Sequence, residues 1–320
     1  KEKINLLLKD DKRFFEAGDL QHIDETIIDK MIGKSRAFIK IQEGCDFRCS
    51  YCIIPFVRGN SRSYDEKKIL NQVSILASNG FGEFILTGTN VGSFGKEQGI
   101  VHKKDKLSQL IKKMSMIRGV RRIRLGSVEP VQITDEFKEI LTESWMGKHL
   151  HIALQHTNKE MLNIMHRRNK VKSDLELFEL LASKGYALGT DFIVGHPGET
   201  DEIWKDAMQN IDKFPLTHIH SFTYSRRDGT PSAKMFPQIN GTIAKERLRE
   251  LEAKIKQKNI NFRQENQVLD ILIESKKENI YIGYDQFFNT MEVQSNIDLV
   301  GDWVSIKNYK IMENKNASTF

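Results

Sequence analysis

The sequence predicts an α/β chain: a parallel sheet interleaved with helices, then a small antiparallel β unit. Three observations carry this. Between Ala37 and Tyr224 six short apolar runs alternate with longer amphipathic ones, and strands that alternate with helices build βαβ units. A charged helical pattern follows from Thr242 to Gln264. Beyond it the pattern becomes short strands between polar turns, as in a small antiparallel barrel. Right-handed crossovers allow the parallel sheet to curl into a barrel or to stay open and doubly wound, and alternation alone does not choose.

The expected strands are Ala37–Ile41, Glu83–Thr87, Arg122–Gly126, His149–Leu154, Ala187–Val194 and His218–Tyr224. The clearest helix spans Tyr64–Asn79, with Ile69, Val73, Leu76 and Ala77 on one face. Ser63 with Glu66 reads as its capping box, and Gly80 stands just past its end. Further helices are expected over Leu107–Ile117, Asp135–Leu141, Lys159–Met165, Asp174–Ser183 and Asp201–Lys213. In the charged helix Ile243, Leu248, Leu251 and Ile255 make the apolar stripe. The tail strands are Val268–Glu274, Ile280–Tyr284, Thr290–Gln294 and Trp303–Lys307. Tyr281, Tyr284, Phe287 and Phe288 are of the type that stacks on bases, yet roughly two of the four are expected to fill so small a core.

Composition is ordinary for a globular protein, with 39% hydrophobic and 29% charged among 320 residues. No apolar run approaches the roughly 18 residues of a membrane span, and Lys1–Lys12 lacks a signal-peptide core, so a cytoplasmic protein without a membrane partner is expected. The net charge of +6 permits a polyanionic partner without establishing one. Basic residues gather at Lys245–Arg263, Arg226–Arg227, Arg167–Arg168 and Arg118–Arg124, and solvated helix faces account for most of them.

All three cysteines lie within eight residues, as Cys45-x3-Cys49-x2-Cys52, in the loop leaving the first strand. An odd number so close together reads as metal ligation in a reducing compartment rather than as disulfides. Barrels of alternating strands and helices place their active sites at such strand ends. Iron–sulfur clusters usually take four thiolates, so three on a four-iron cluster leave one iron open to a small molecule with an amine and a carboxylate. The competing reading is a structural zinc site, which wants four ligands; the nearest downstream histidine, His102, lies fifty residues past Cys52.

Cys45-Asp-Phe-Arg-Cys49-Ser-Tyr51-Cys52 resembles the radical S-adenosylmethionine (SAM) signature, including the aromatic residue before the last cysteine. The resemblance implies a partial (β/α)6 TIM-like barrel, a [4Fe-4S] cluster with one open iron, and SAM. One electron from the cluster would cleave SAM, and the resulting 5′-deoxyadenosyl radical would abstract a substrate hydrogen. The cofactor carries that chemistry, and no side chain is assigned a catalytic role. Strand ends supply the implied cofactor contacts: Tyr51; Gly88, Thr89 and Asn90; Ser127 and Glu129; Gln155; and Gly195 and Pro197. Taken singly, each has a plain alternative as a turn or helix cap.

Longer segments resemble the methylthiotransferases within that group. They are Ile53–Ser63, Leu86–Gly92, Arg122–Pro130, Asp191–Thr200 and Tyr224–Pro231, and the tail from Gln267 resembles the TRAM domain, a small RNA-binding barrel. Within the group the closest resemblance is to the enzyme that methylthiolates C2 of N6-threonylcarbamoyladenosine beside the anticodon of tRNA, at position 37. It implies an electron donor such as flavodoxin and a separate sulfur source. Arg58 and Arg62 would lie near the cluster or merely brace its loop, and Arg226 and Arg227 would meet tRNA phosphates or simply be solvated.

The implied division is residues 1–35 as linker or remnant of an absent N-terminal domain, 36–264 as the radical SAM domain, and 265–320 as a TRAM-like RNA-binding domain. Family members carry a second [4Fe-4S] cluster in that N-terminal domain, and no cysteine remains here to hold it. The expectation is therefore SAM cleavage without complete methylthiolation. Gln155-His156 also departs from the Gln-Ser of many tRNA-modifying relatives. Two alternatives follow: a methylthiotransferase acting on a ribosomal-protein aspartate, and a non-catalytic zinc- and RNA-binding protein.

Overall fold

The structure is a computed structural model that describes residues 28–96, 105–265 and 268–319. Most of the expected linker, residues 1–27, lies outside the described residues, as do His102 and Gln267. Residues 28 and 29 run along a barrel helix, where the Ile28 amide donates to Gln72 Oε1 at 2.7 Å and Asn79 Nδ2 donates to the Asp29 carbonyl at 2.7 Å. No helix among the described residues is long and apolar enough to cross a membrane.

Seven strands precede the charged helix: β1 (Arg36–Glu43), β2 (Arg62–Ser63), β3 (Glu83–Gly88), β4 (Arg122–Leu125), β5 (His149–His151), β6 (Ala187–Val194) and β7 (His218–Thr223). Strands β1, β3 and β4 pair in parallel, as do β5, β6 and β7. Parallel bridges Ile123–Met146 and Val128–Ile152 join the two groups. Six parallel strands thus follow one another in chain order around a partial barrel. A sheet covered by helices on one face and by its own lumen on the other must be apolar along its length. In β3, Glu83, Phe84, Ile85 and Leu86 are accordingly all buried.

The helices are α1 (Ile54–Arg58), α2 (Glu66–Ser78), α3 (Lys106–Ser115), α4 (Asp135–Ile140), α5 (Lys159–Ile164), α6 (Val171–Ser183), α7 (Asp201–Lys213) and α8 (Gly241–Arg263). The face of α2 predicted to be apolar is the buried one. Its cap differs: Asp65, not Ser63, accepts the Lys68 amide. Ser63 is held in β2 opposite Gln42, and strand pairing takes precedence over the local capping motif. Helix α6 begins three residues earlier than expected, at Val171. In α8 Leu251 and Ile255 are buried, but Ile243 is 42% exposed, and its neighbour Ala244 is the buried residue of that first turn.

The C-terminal sheet contains β8 (Leu269–Lys277), β9 (Ile280–Tyr284), β10 (Thr290–Gln294), β11 (Trp303–Ile306), β12 (Lys310–Ile311) and β13 (Asn316–Thr319), in the order β11-β8-β9-β10-β13-β12. Two of its strands, β12 and β13, were not foreseen, and β10 pairs with β13 in parallel within an otherwise antiparallel sheet. Tyr281 and Phe287 fill its core. Tyr284 and Phe288 are not free to stack on bases: Arg36 lies 4.3 Å over the Tyr284 ring, and Phe288 stacks on His149 at 5.2 Å.

This sheet covers the starting ends of the barrel strands. Buried Glu83 bridges Arg124 at 2.9 Å and Arg122 at 3.1 Å. Arg122 continues to Asp270 at 2.8 Å, and Arg124 donates to the carbonyls of Asp285 and Gln286 at 2.5 and 3.2 Å. Arg36 pairs with Glu274 at 2.8 Å, and Trp303 lies beneath both Arg121 and Arg122. The opposite end, where strands finish, is left to the cysteine loop.

Candidate active site

The loop from Gly44 to Ser61 is tied down along its length. The Cys45 amide donates to the Gly59 carbonyl at 3.1 Å, the Ser61 amide to Asp46 Oδ1 at 3.0 Å, and Arg48 to Asn60 Oδ1 at 2.6 Å. Gly44 has φ +71°, and a Cβ there would sit 2.0 Å from the Asn60 carbonyl oxygen, so only glycine permits this crossing. Ser50 anchors the middle: its amide reaches the Met165 carbonyl at 3.0 Å and its hydroxyl the Ile164 carbonyl at 2.9 Å.

The three thiols form no disulfide, and N–H donors reach two of them. Cys45 Sγ accepts from the Phe47 amide at 3.4 Å and from Asn90 Nδ2 at 3.7 Å; Cys49 Sγ accepts from Arg167 Nη1 at 3.5 Å. Burial pushes the Cys45 and Cys52 thiols up, so their ionisation calls for a cation. Three sulfurs on one fixed loop, with N–H groups directed at two of them, suit an iron–sulfur cluster.

The strand-end residues fall into place around this loop. Gln42, at the end of β1, accepts the Asn90 amide at 2.7 Å and donates to Ser61 Oγ at 2.9 Å, joining the β3 turn to the cysteine loop. Asn90 Oδ1 is buried and, among the described residues, has no hydrogen-bond partner. Thr89 donates to Glu43 at 3.3 Å. Glu129 forms a two-pronged pair with Arg167, 3.0 Å at one oxygen, and Arg167 also donates to the Ala153 carbonyl at 2.6 Å. Burial works against the Arg167 charge, and the Glu129 carboxylate outweighs it, so Arg167 stays cationic. The Gly195 amide donates to Glu199 at 3.0 Å, and the ring of His196 stands edge-on to Tyr51 at 6.3 Å, beside Pro197. Ser127 is exposed.

A cavity of about 270 Å³ opens beside the loop, lined by Tyr51, Gln155, Asp191, Ile193, Phe222, Thr223, Tyr224, Ser225 and Arg227. It brings together Tyr51, Gln155 and Arg227 among the predicted residues. Gln155 reaches it through a left-handed backbone, φ +66°, bridged to Phe192. His156 turns away and is buried, 3.4 Å from Glu199 and tilted against the Phe192 ring at 4.9 Å. Arg58, Arg62 and Arg226 do not line the cavity. Arg58 pairs with Glu43 at 2.9 Å, Arg62 donates to the Arg58 carbonyl at 2.7 Å, and Arg226 lies 3.6 Å from Asp228.

Two residues escaped the sequence reading. Arg167 was counted only among basic clusters, though it reaches both Cys49 and Glu129. Asp191 was part of a segment, and its carboxylate faces His151 at 3.0 Å and His220 at 3.6 Å. Strand alternation was the available signal, because His151, Asp191 and His220 all occupy lumen-facing positions of adjacent strands.

Residues 39–211 match the family model described as the radical SAM superfamily. A Helicobacter pylori protein provisionally named a methylthiotransferase is 50% identical over 100% of this chain and 77% of its own length. The threonylcarbamoyladenosine tRNA methylthiotransferase MtaB of Bacillus subtilis is 34% identical, over 89% of this chain and 64% of its own. The tRNA-2-methylthio-N(6)-dimethylallyladenosine synthase of Staphylococcus epidermidis is 33% identical, over 86% of this chain and 54% of its own. Among solved structures, coproporphyrinogen III oxidase from Escherichia coli, a radical SAM enzyme, has a TM-score of 0.52 at 14% identity, over 79% of this chain and 67% of its own; the likeness is one of fold. The chain therefore belongs to the radical SAM superfamily, whose members use a [4Fe-4S] cluster and SAM, and within it to the methylthiotransferases.

Proposed function

We propose that this chain cleaves SAM in the service of methylthiolating C2 of N6-threonylcarbamoyladenosine at position 37 of tRNA, beside the anticodon. One observation carries the reading: a cavity sized for a nucleobase and its substituent starts at Tyr51, between two of the thiols, and ends at Arg227. In this reading Cys45, Cys49 and Cys52 hold the cluster and leave one iron to SAM. When bound, the cluster and SAM supply the one-electron chemistry. The protein binds, orients and excludes water. Asn90 Oδ1, buried without a partner among the described residues, accepts from the amino group of SAM, beside Gly88 and Thr89. Glu129, fixed by Arg167, and Ser127 face the ribose, while Gln155, Gly195 and Pro197 border the adenine. Arg58 and Arg62 hold the cluster loop in shape, and Arg226 stands at the mouth toward RNA.

The same proposal assigns 36–264 to the radical SAM unit and 265–320 to a TRAM-like RNA-binding unit. It also calls for an electron donor, such as flavodoxin, a sulfur source and a cytoplasmic setting. The relatives that methylthiolate tRNA support the substrate class. The ribosomal-protein alternative rested on His156, which is buried against Glu199 away from the cavity lining.

The test has two parts. The chain, purified anaerobically and given ferrous iron and sulfide, is expected to bind both and to release 5′-deoxyadenosine from SAM under reduction. Zinc without iron would overturn the cofactor assignment. Deleting the gene is expected to remove the 2-methylthio group from threonylcarbamoyladenosine of total tRNA; an unchanged nucleoside profile would overturn the substrate.

A further inference from the structure

The charges of the cavity wall, Asp191 and Arg227, and those near it differ in what already neutralises them. Asp191 would repel an anion, but His151 and His220 both face its carboxylate, at 3.0 and 3.6 Å, with their rings stacked at 4.5 Å. Hydrogen bonding to Asp191 raises His220, so an imidazolium there, 3.6 Å from the carboxylate, would offset its charge. Glu129 is taken up by Arg167. At the mouth, Arg226 leans on Asp228. Arg227 remains: it lines the cavity, and among the described residues no hydrogen bond or ion pair engages its guanidinium. An exposed arginine at a cavity rim is a ready partner for a carboxylate, which it grips through two parallel N–H bonds.

Two curated relatives act on adenosines that differ in the N6 substituent. One is a threonylcarbamoyladenosine enzyme and the other makes a 2-methylthio dimethylallyladenosine. A threonylcarbamoyl group ends in a carboxylate, and a dimethylallyl group is wholly apolar. Resting on the substrate reading above, we infer that Arg227 selects the substrate by pairing with the carboxylate of the N6 substituent, while the His151–Asp191–His220 cluster keeps the adjoining wall free of net negative charge. The apolar part of the wall, Ile193 and Phe222, is left to the base and the aliphatic carbons.

The experiment measures binding, which does not depend on completed methylthiolation. Anticodon stem-loop hairpins carry at the target adenosine a threonylcarbamoyl group, its methyl ester, a dimethylallyl group, or nothing. Their affinities for the cluster-loaded chain with SAM are compared between wild type and Arg227→Gln. Wild type is expected to prefer the acid over the ester by about tenfold, the size of one charge-assisted pair. Arg227→Gln is expected to bind acid and ester alike. A variant that keeps the full acid-over-ester preference overturns the role of Arg227 while leaving the substrate reading intact. Equal weakening of all four hairpins also overturns it, because Arg227 then meets only phosphates. A wild type that binds all four equally sinks the substrate reading itself, and this inference with it. Arg226→Gln serves as the comparison for a general RNA contact and is expected to preserve the acid-over-ester ratio.

Discussion

Replacing Glu83 with glutamine isolates the electrostatics of the junction between barrel and C-terminal sheet. Glu83 is fully buried between Arg122 and Arg124, whose side chains are 4% and 3% exposed. Glutamine keeps the shape and removes the charge, leaving two guanidiniums short of a counter-ion. Breaking a buried pair costs about 3–5 kcal/mol. Arg122 retains Asp270, whereas Arg124 keeps the carbonyls of Asp285 and Gln286 and the Phe288 ring but no paired carboxylate. The loss therefore falls near the lower bound, about 3 kcal/mol, most of it from Arg124. Urea unfolding of the whole chain, followed by tryptophan fluorescence, measures it; Trp303 sits in the junction and reports its opening directly. The double variant Glu83→Gln with Arg124→Met removes the stranded charge and is expected to recover over half the loss. Iron content and SAM affinity should not change, since the cysteine loop is at the other end of the strands. A loss below about 1 kcal/mol, or no recovery in the double variant, would refute the reasoning.

Three further outcomes are expected. Asn90→Ala removes an acceptor that has no partner among the described residues, together with the weak contact of Nδ2 to Cys45, so it should weaken SAM binding by about tenfold in titration calorimetry with only a small loss of stability. Gly44→Ala places a Cβ against the Asn60 carbonyl and should abolish iron loading, read as iron per chain after reconstitution. The third concerns pH. Burial lowers His218 from 6.5 to about 4, so the unfolded chain binds the proton more tightly. Its contribution to stability is present above pH 6.5 and is lost as pH falls toward 4, at about 1.4 kcal/mol per pH unit. His149 and His196 are lowered by burial as well and add the same slope, while Asp174 and Asp285, raised to about 6, oppose it. The test is therefore the difference between wild type and His218→Asn: between pH 4 and 6.5 the variant's stability is expected to rise less steeply with pH, by up to about 1.4 kcal/mol per pH unit, measured by urea unfolding at each pH.

The barrel strands were legible because each is a short apolar run, and β6, buried on both faces, matched its predicted bounds of Ala187–Val194. The helices were legible where one face is apolar, as in α2. Elements without their own periodicity were not. Strand β2 is two residues long and owes its existence to pairing with Gln42 and Glu43, and β12 and β13 are likewise created by partners. The cysteine loop could be read from spacing alone, since ligand geometry constrains it locally. Arg167 and Asp191 could not, because their partners lie 38 residues away at Glu129 and 40 residues away at His151. The folded barrel supplies that proximity.

The C-terminal sheet stoppers the barrel, with Phe288 set against His149 at the base of the bore. Among the described residues, the cavity beside the cysteine loop, lined by Tyr51 and Arg227, lies away from that stopper. On the substrate reading proposed above, a base held in that cavity after modification obstructs the next one, so a tight grip on the product would slow turnover as surely as a weak grip on the substrate.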